Sequence, residues 1–329
     1  MYKEFQAAID SAHHIVVIQA ENPDGDSLGS ALALEDILSE LGKEVELYCP
    51  VALPKYLRYV DGWDRVSDEL SQKADLAIIV DTLSETLLSK VLEVPGNRHY
   101  LETHPVFALD HHVSVESSLS FPHTTIASDT AVATGELIYD IAKELGWRLS
   151  KVAAENLYVA IMSDSLGLTT PATTANSYRA VADLLDAGAL PADLETKRRE
   201  LMKKAPEILQ YKAELIQRIS YHLDGKLALV HIPWDEIQAY SDQYNPSMLV
   251  LDEMRLVDDV QVAIALKTYP DGKVTGKLRS NVPVSDVIAG YFGGGGHPYA
   301  AGFRAYDTYE TIERELISSC DKALQENDR

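Results

Sequence analysis

The chain has 329 residues, 46% of them hydrophobic, which is enough apolar material for two packed domains. Lys plus Arg number 29 against 51 Asp plus Glu, a formal charge of −22 that excludes the broad basic surface needed to hold long DNA or RNA. No uncharged apolar run approaches the roughly 18 residues of a membrane span, and the acid-bearing start MYKEFQAAID does not read as a signal peptide.

In chain order, HIVVIQA (14–20), EVELYC (44–49), DLAIIV (75–80) and PVFALD (105–110) read as strands. SLGSALALEDILSELG (27–42) reads as a helix closed by Gly42. Strands that are apolar throughout and separated by helices imply a buried parallel sheet. Helical patterns follow at 130–146, 151–165 and 175–189, then a charged segment at 194–217 that reads as a helix or helix pair. Beyond it, strands are expected at 226–232, 260–269 and 273–280 and a helix at 284–292. The fold class is therefore α/β. The expected division is a parallel-sheet domain over 1–190, a linker helix region over 191–205, and a smaller α/β domain over 206–329. Cys49 and Cys320 match no metal or redox spacing, which fits a reducing cytoplasm.

Ligands of a parallel α/β sheet bind beyond the carboxyl ends of its strands, so residues just after strands meet there. After the first strand stand Asp24-Gly25-Asp26, where two carboxylates share a turn and the next helix points its N-terminus at the same place. The same triplet also reads as an N-cap and polar turn. Asp81 follows the third strand, as a site acid or as an N-cap. Asp110-His111-His112 follow the fourth, and a neutral imidazole beside carboxylates suits Mn²⁺ or a similar ion. Asp164 sits in or at the end of an apolar helix, where a carboxylate is costly unless paired, metal-bound or exposed. Together Asp24, Asp26, Asp81, His111 and Asp164 form an acid-rich set with one nitrogen ligand. Two close metal ions in such a set are a common solution for hydrolysing phosphate esters.

The second signal is Phe292-Gly293-Gly294-Gly295-Gly296-His297-Pro298-Tyr299-Ala300-Ala301-Gly302-Phe303. Consecutive glycines can turn backbone N–H groups inward as a nest for an anion, to which His297 adds a donor. Upstream, Arg279 is suited to clamp a phosphate and Ser280 to donate a further hydrogen bond.

These motifs resemble the DHH–DHHA1 phosphoesterases, in particular the standalone oligoribonuclease (nanoRNase)/pAp phosphatase type, over nearly the whole chain. NPDGDSLGS looks like the first motif, IIVD the second, LDHH the third and Asp164 the fourth. ATGELIYD (133–140) looks like the helix after the third motif, and GGGGHPYAAGF with Arg279-Ser280 like the DHHA1 substrate signature. The resemblance implies a parallel-sheet DHH domain and a smaller α/β DHHA1 domain. Asp24 would ligate one Mn²⁺; Asp26, His111 and Asp164 would ligate a second; Asp81 would bridge both. Asp110 and His112 would contact phosphate or support the ligands, as catalytic residues with His111. Arg279, Ser280, Gly294, Gly295, Gly296 and His297 would hold the terminal phosphate or nucleotide. Mg²⁺ or Co²⁺ are possible substitutes, and a homodimer would be in keeping with the family.

One position departs from the pattern. The family's first motif begins with a metal-binding His, and Ala20 stands there. The expectation is one tight Mn²⁺ site and one weak or substrate-assisted site. The implied activity is Mn²⁺-dependent release of 5′-mononucleotides from short oligoribonucleotides or dinucleotides, with action on pAp. Cleavage of cyclic or linear dinucleotides such as c-di-AMP and pApA is an alternative. Because of Ala20, so is a protein that binds nucleotide without hydrolysing it. No long nucleic acid and no membrane partner is expected.

Overall fold

The computed structural model describes residues 2–112, 117–241 and 244–327, and it divides between Met202 and Lys203 into two compact units. The first unit is built on five parallel strands: β1 (His14–Ile18), β2 (Glu44–Tyr48), β3 (Leu76–Val80), β4 (Val106–Asp110) and β5 (Thr124–Ala127). Their order is β2-β1-β3-β4-β5. The strand β5 escapes the sequence pattern because it is only four residues long and half exposed at the sheet edge. Both faces of the sheet are covered. Ile15, Val17, Ile78 and Val80 pack under one helical layer, and Val16, Ile18, Ala77 and Ile79 under the other. That is why these runs are apolar throughout rather than alternating.

The chain leaves β1 toward β2 on one side and toward β3 on the other. That reversal opens a crevice at the strands' carboxyl ends. The helix Gly25–Glu40 starts at its rim and packs tightly against Lys151–Asp164. Gly29 permits the approach: a Cβ there would lie 2.5 Å from the Asn156 carbonyl oxygen.

Met202 follows the helix Pro191–Leu201, and the second unit opens with the helix Pro206–Gln217. Its sheet has six strands: β6 (Ser220–His222), β7 (Leu227–Ile232), β8 (Val262–Thr268), β9 (Lys273–Ser280), β10 (Gly295–His297) and β11 (Ala300–Tyr306). Their order is β10-β11-β9-β8-β7-β6, with only β7 and β8 parallel. One face packs on the helices Ser285–Gly290 and Tyr309–Asn327, through Leu266, Leu278, Phe303, Ile288 and Leu316. The β7–β8 part of the other face packs on Ile208, Tyr211 and Leu215. Among the described residues no helix is long and apolar enough to cross a membrane.

Candidate metal centre

The crevice collects the acids that follow the strands. Asp24 is the N-cap of the Gly25 helix, and its Oδ1 accepts from the backbone N–H groups of Asp26 and Ser27 at 3.0 Å each. Capping and ligation are not exclusive here, since a carboxylate has a second oxygen. Asp26 is fully buried and caps a different helix. Its two oxygens accept from the backbone N–H of Thr134 (2.7 Å) and Gly135 (2.9 Å), and from the Ser30 hydroxyl (3.1 Å). The helix Thr134–Leu145 begins at Ala133, which has no side chain to cap it, so Asp26 satisfies donors left unpaired at that end.

Asp81 lies just past β3 with φ +63°, a left-handed conformation that Asp tolerates better than most residues. Its backbone N–H donates to the Leu109 carbonyl at 2.8 Å, and its Oδ1 accepts from the Thr134 hydroxyl at 3.2 Å. Asp110, the last residue of β4, is buried. Its Oδ1 accepts from the backbone N–H groups of His111 (2.8 Å) and His112 (3.1 Å) and lies 2.7 Å from His112 Nδ1. This carboxylate sets the turn that aims both rings. His111 Nε2 then lies 3.4 Å from Asp164, 3.6 Å from Asp26 and 3.7 Å from Asp81. Asp164 ends the Lys151–Asp164 helix, where the negative end of the helix dipole disfavours a carboxylate.

Charge crowding shows in the proton affinities. Burial, then Asp24 and Asp164, push Asp26 up to about 7, against the pull of the Gly135 and Thr134 N–H groups. Burial and then Asp26 raise Asp81 well above the usual carboxylate range. Burial and then Asp24 lift Asp164 to about 6. Burial, then neighbouring His112, lower His111 to about 4, so its ring is neutral. The Asp110 hydrogen bond raises His112, which makes that ring the more cationic of the two.

This donor set fits a divalent cation. His111 Nε2 is buried without a hydrogen-bond partner, at distances from three carboxylates too long for hydrogen bonds but natural around a shared ion. Asp81, Asp110, His111 and His112 also each offer a ligand atom within 4.8 Å of one another. A neutral imidazole among carboxylates is a donor set that suits a divalent metal ion.

The second-unit residues are placed differently. Arg279 and Ser280 alternate on β9 and so face opposite sides of the sheet. The Ser280 hydroxyl is buried, 2.6 Å from the Val282 carbonyl oxygen, 2.8 Å from the Ser285 hydroxyl and 3.2 Å from the Pro298 carbonyl oxygen. It ties together the loops on either side of the Ser285 helix. The N–H groups of Gly293 and Gly294 donate to the carbonyls of Gly290 and Ala289, and Gly295–His297 pair with β11. The glycines therefore shape a helix end and a strand rather than one open nest. Gly294 is needed there, as a Cβ would lie 2.3 Å from the Gly302 carbonyl oxygen. The His297 side chain lies outside the described residues.

Residues 14–161 match the DHH family, N-terminal domain, a span that contains the first three motifs and stops three residues short of Asp164. The matched span lies wholly within the first unit. Over 298 residues, 90% of this chain and 86% of the relative, the sequence is 28% identical to the bifunctional oligoribonuclease and PAP phosphatase NrnA of Thermus thermophilus. The NrnA of Bacillus subtilis is 22% identical over 93% of this chain and 94% of its own. In fold, the chain superposes on an exopolyphosphatase-related protein from Bacteroides fragilis with a TM-score of 0.84, at 22% identity, covering 99% of this chain and 95% of that one.

In the first unit Ala20 is buried and brings no ligand atom to the crevice. Its neighbours are engaged elsewhere: the Glu21 carboxylate accepts from the Ser89 hydroxyl at 3.1 Å, and Gln19 Oε1 from the Ser27 hydroxyl at 3.2 Å. Thr134, Gly135 and Ser30 hold the crevice acids in place; they lie within the quoted motifs but were given no role of their own there. A usable signal was present at Ala133, an uncapped start before a Thr-Gly pair, whose orphan N–H groups require an acceptor from elsewhere.

Proposed function

We propose that this chain is a divalent-metal-dependent phosphoesterase that releases 5′-mononucleotides from short oligoribonucleotides and also acts on pAp. The observation that carries the proposal is the convergence of Asp26, Asp81 and Asp164 on the unpartnered His111 Nε2. The NrnA relatives, alike along most of their length, support the substrate class. Asp24 and Asp81 would hold one ion and Asp26, Asp81, His111 and Asp164 a second, with Mn²⁺ the best match to these donors. Such ions supply Lewis acidity toward the phosphoryl oxygens.

The chain's own groups do the positioning. Thr134 and Gly135 N–H groups fix Asp26, and the Thr134 hydroxyl fixes Asp81. Asp110 holds His112 with its Nδ1 turned inward, favouring the protonated ring, so His112 supplies positive charge or a proton to the reacting phosphate. In the second unit, Arg279 and the segment Gly294–Gly296 would bind a nucleotide, and the Ser280 hydroxyl braces the neighbouring loop through the Pro298 carbonyl.

The test is release of AMP from pApA by purified protein in Mn²⁺ and in EDTA. Turnover in Mn²⁺ that EDTA removes is expected; turnover equal in both would refute a metal-dependent enzyme. The donorless Ala20 favours one second reading, a protein that binds nucleotide without cleaving it. Activity absent in the wild type and present in Ala20→His would select that reading.

A further inference from the structure

Directly after Asp164 the backbone runs through three consecutive left-handed residues, Leu166 (φ +50°), Gly167 (φ +75°) and Leu168 (φ +63°). The turn closes the Lys151–Asp164 helix in a Schellman arrangement: the Leu166 N–H donates to the Ser163 carbonyl at 3.3 Å and the Gly167 N–H to the Met162 carbonyl at 2.9 Å. The first left-handed position of that motif favours glycine, yet Leu166 holds it and the glycine stands one residue later. The surrounding fold keeps the turn in place. The buried Ser165 hydroxyl accepts from the Leu168 N–H at 2.8 Å and donates to the Ile161 carbonyl, and the Tyr178 hydroxyl donates to the Leu168 carbonyl at 3.3 Å. Leu168 packs against the core, whereas Leu166 is 71% exposed, so burial does not explain a leucine there.

A second apolar group stands on the same rim of the crevice. Tyr56 is 48% exposed, and its hydroxyl donates to the Pro23 carbonyl, one residue before Asp24, at 3.4 Å. Gly25, one residue after Asp24, faces the end of the Asp164 helix: a Cβ there would lie 2.3 Å from Ser163 Oγ. Ser163 precedes Asp164 and accepts from Leu166. A series of contacts and bonds within the first unit thus joins Tyr56, Asp24, Asp164 and Leu166. Two residues of chain span at most about 7 Å, so Leu166 stands close enough to Asp164 for a nucleoside whose phosphate sits at the acids to touch it. An exposed phenol ring and an exposed aliphatic side chain are surfaces on which a flat heterocycle stacks and packs.

We propose that Leu166 and Tyr56 contact a nucleobase beside the scissile phosphate and set the preference of the first unit for nucleotides over phosphate esters that lack a base. Leu166 keeps a backbone position suited to glycine because its side chain makes that contact, at a cost in stability. The inference rests on the phosphoesterase reading above, and adds to it two specificity-determining residues and a rule of substrate choice.

The experiment compares kcat/KM in Mn²⁺ for pApA and for its two abasic analogues, each lacking one adenine, in the wild type, Leu166→Gly, Tyr56→Ala and the ring-keeping Tyr56→Phe. The wild type should prefer pApA over one of the analogues by at least about tenfold. Leu166→Gly and Tyr56→Ala should each cut that preference by about fivefold or more through KM, and Tyr56→Phe should keep most of it. Leu166→Gly should also raise Tm by about 2–4 °C, because glycine relieves the left-handed position. A gain in Tm with the preference unchanged, a fall in Tm, or equal use of pApA and both analogues by the wild type would overturn the inference. Titration of 2-aminopurine riboside 5′-monophosphate into the Mn²⁺-loaded full-length chain, read by the quenching of its fluorescence on stacking, separates the two levels of the account. Quenching that weakens in Leu166→Gly and Tyr56→Ala, in a wild type that hydrolyses no dinucleotide, would keep the base contact and remove the phosphoesterase reading. Hydrolysis of pApA with quenching unchanged in both variants would do the reverse.

Discussion

The strand-end crevice of the first unit and the β9 face of the second unit both crowd like charges, with opposite signs and by different means. The crevice gathers its acids from loops far apart in sequence. It fixes them with backbone donors, as with Asp26 on Thr134 and Gly135, and with a left-handed residue at Asp81. The β9 face gathers its cations by pleat and register alone, from residues two apart on one strand and from its neighbours. The first arrangement is largely buried, with its oxygens held by backbone donors. The second, of Lys267, Lys277 and Arg279, is partly exposed on the face of a sheet. Crowding of like charge is unfavourable in each, and a ligand of the opposite charge would relieve it.

The sharpest way to break the comparison is to remove a charge from the rigid cluster. Asp81→Asn should lower pApA turnover by about a thousandfold or more, because this carboxylate adjoins all the others. Steady-state kinetics with matched circular dichroism checks this. Next comes the backbone support. Asp26→Ala leaves the Thr134 and Gly135 N–H groups unpaired in a buried place and should cost about 2–4 kcal/mol in urea unfolding. Asp26→Asn keeps an acceptor while relieving charge, so it should retain stability yet lose activity.

A third prediction concerns pH. Asp26 and Asp164, at about 7 and about 6, hold protons more tightly folded than unfolded. The stability they confer is full below the unfolded value of about 4 and is lost as pH rises through the folded values. Mn²⁺ replaces the missing protons, so its gain in Tm over EDTA should be larger at pH 8 than at pH 5. The smallest effect belongs to the second cluster. Lys277→Met should raise stability slightly, by under about 1 kcal/mol, because it relieves repulsion and breaks no ion pair. A clear loss would show that Lys277 serves the fold instead.

Much of the crevice was legible in the sequence because each acid or His follows a short apolar run, and a parallel sheet brings strand ends together. The helix after β1 and the Asp164 helix were legible for the same reason, through apolar spacing. What stayed hidden depends on distance or on small residues. Asp26 caps a helix 108 residues away, which no local pattern records. The strand β11 is AAGFRAY, whose small residues mask alternation, and the helix Tyr309–Asn327 has polar residues over most of its surface. The glycine run read as a nest, but its N–H groups serve a helix end and a ladder. The cations of the β9 face stood in plain view as KTY and GKLRS, yet only strand register shows that Lys267, Lys277 and Arg279 share a side.

The central claim is that the acid crevice is a metal centre, and the most direct measurement is calorimetric titration of Mn²⁺ into metal-stripped protein beside Asp81→Asn. The account predicts saturable binding by the wild type, with one ion clearly tighter than any other, and loss of that tight binding in the variant. Equal binding by both proteins, or no binding by the wild type, would contradict it.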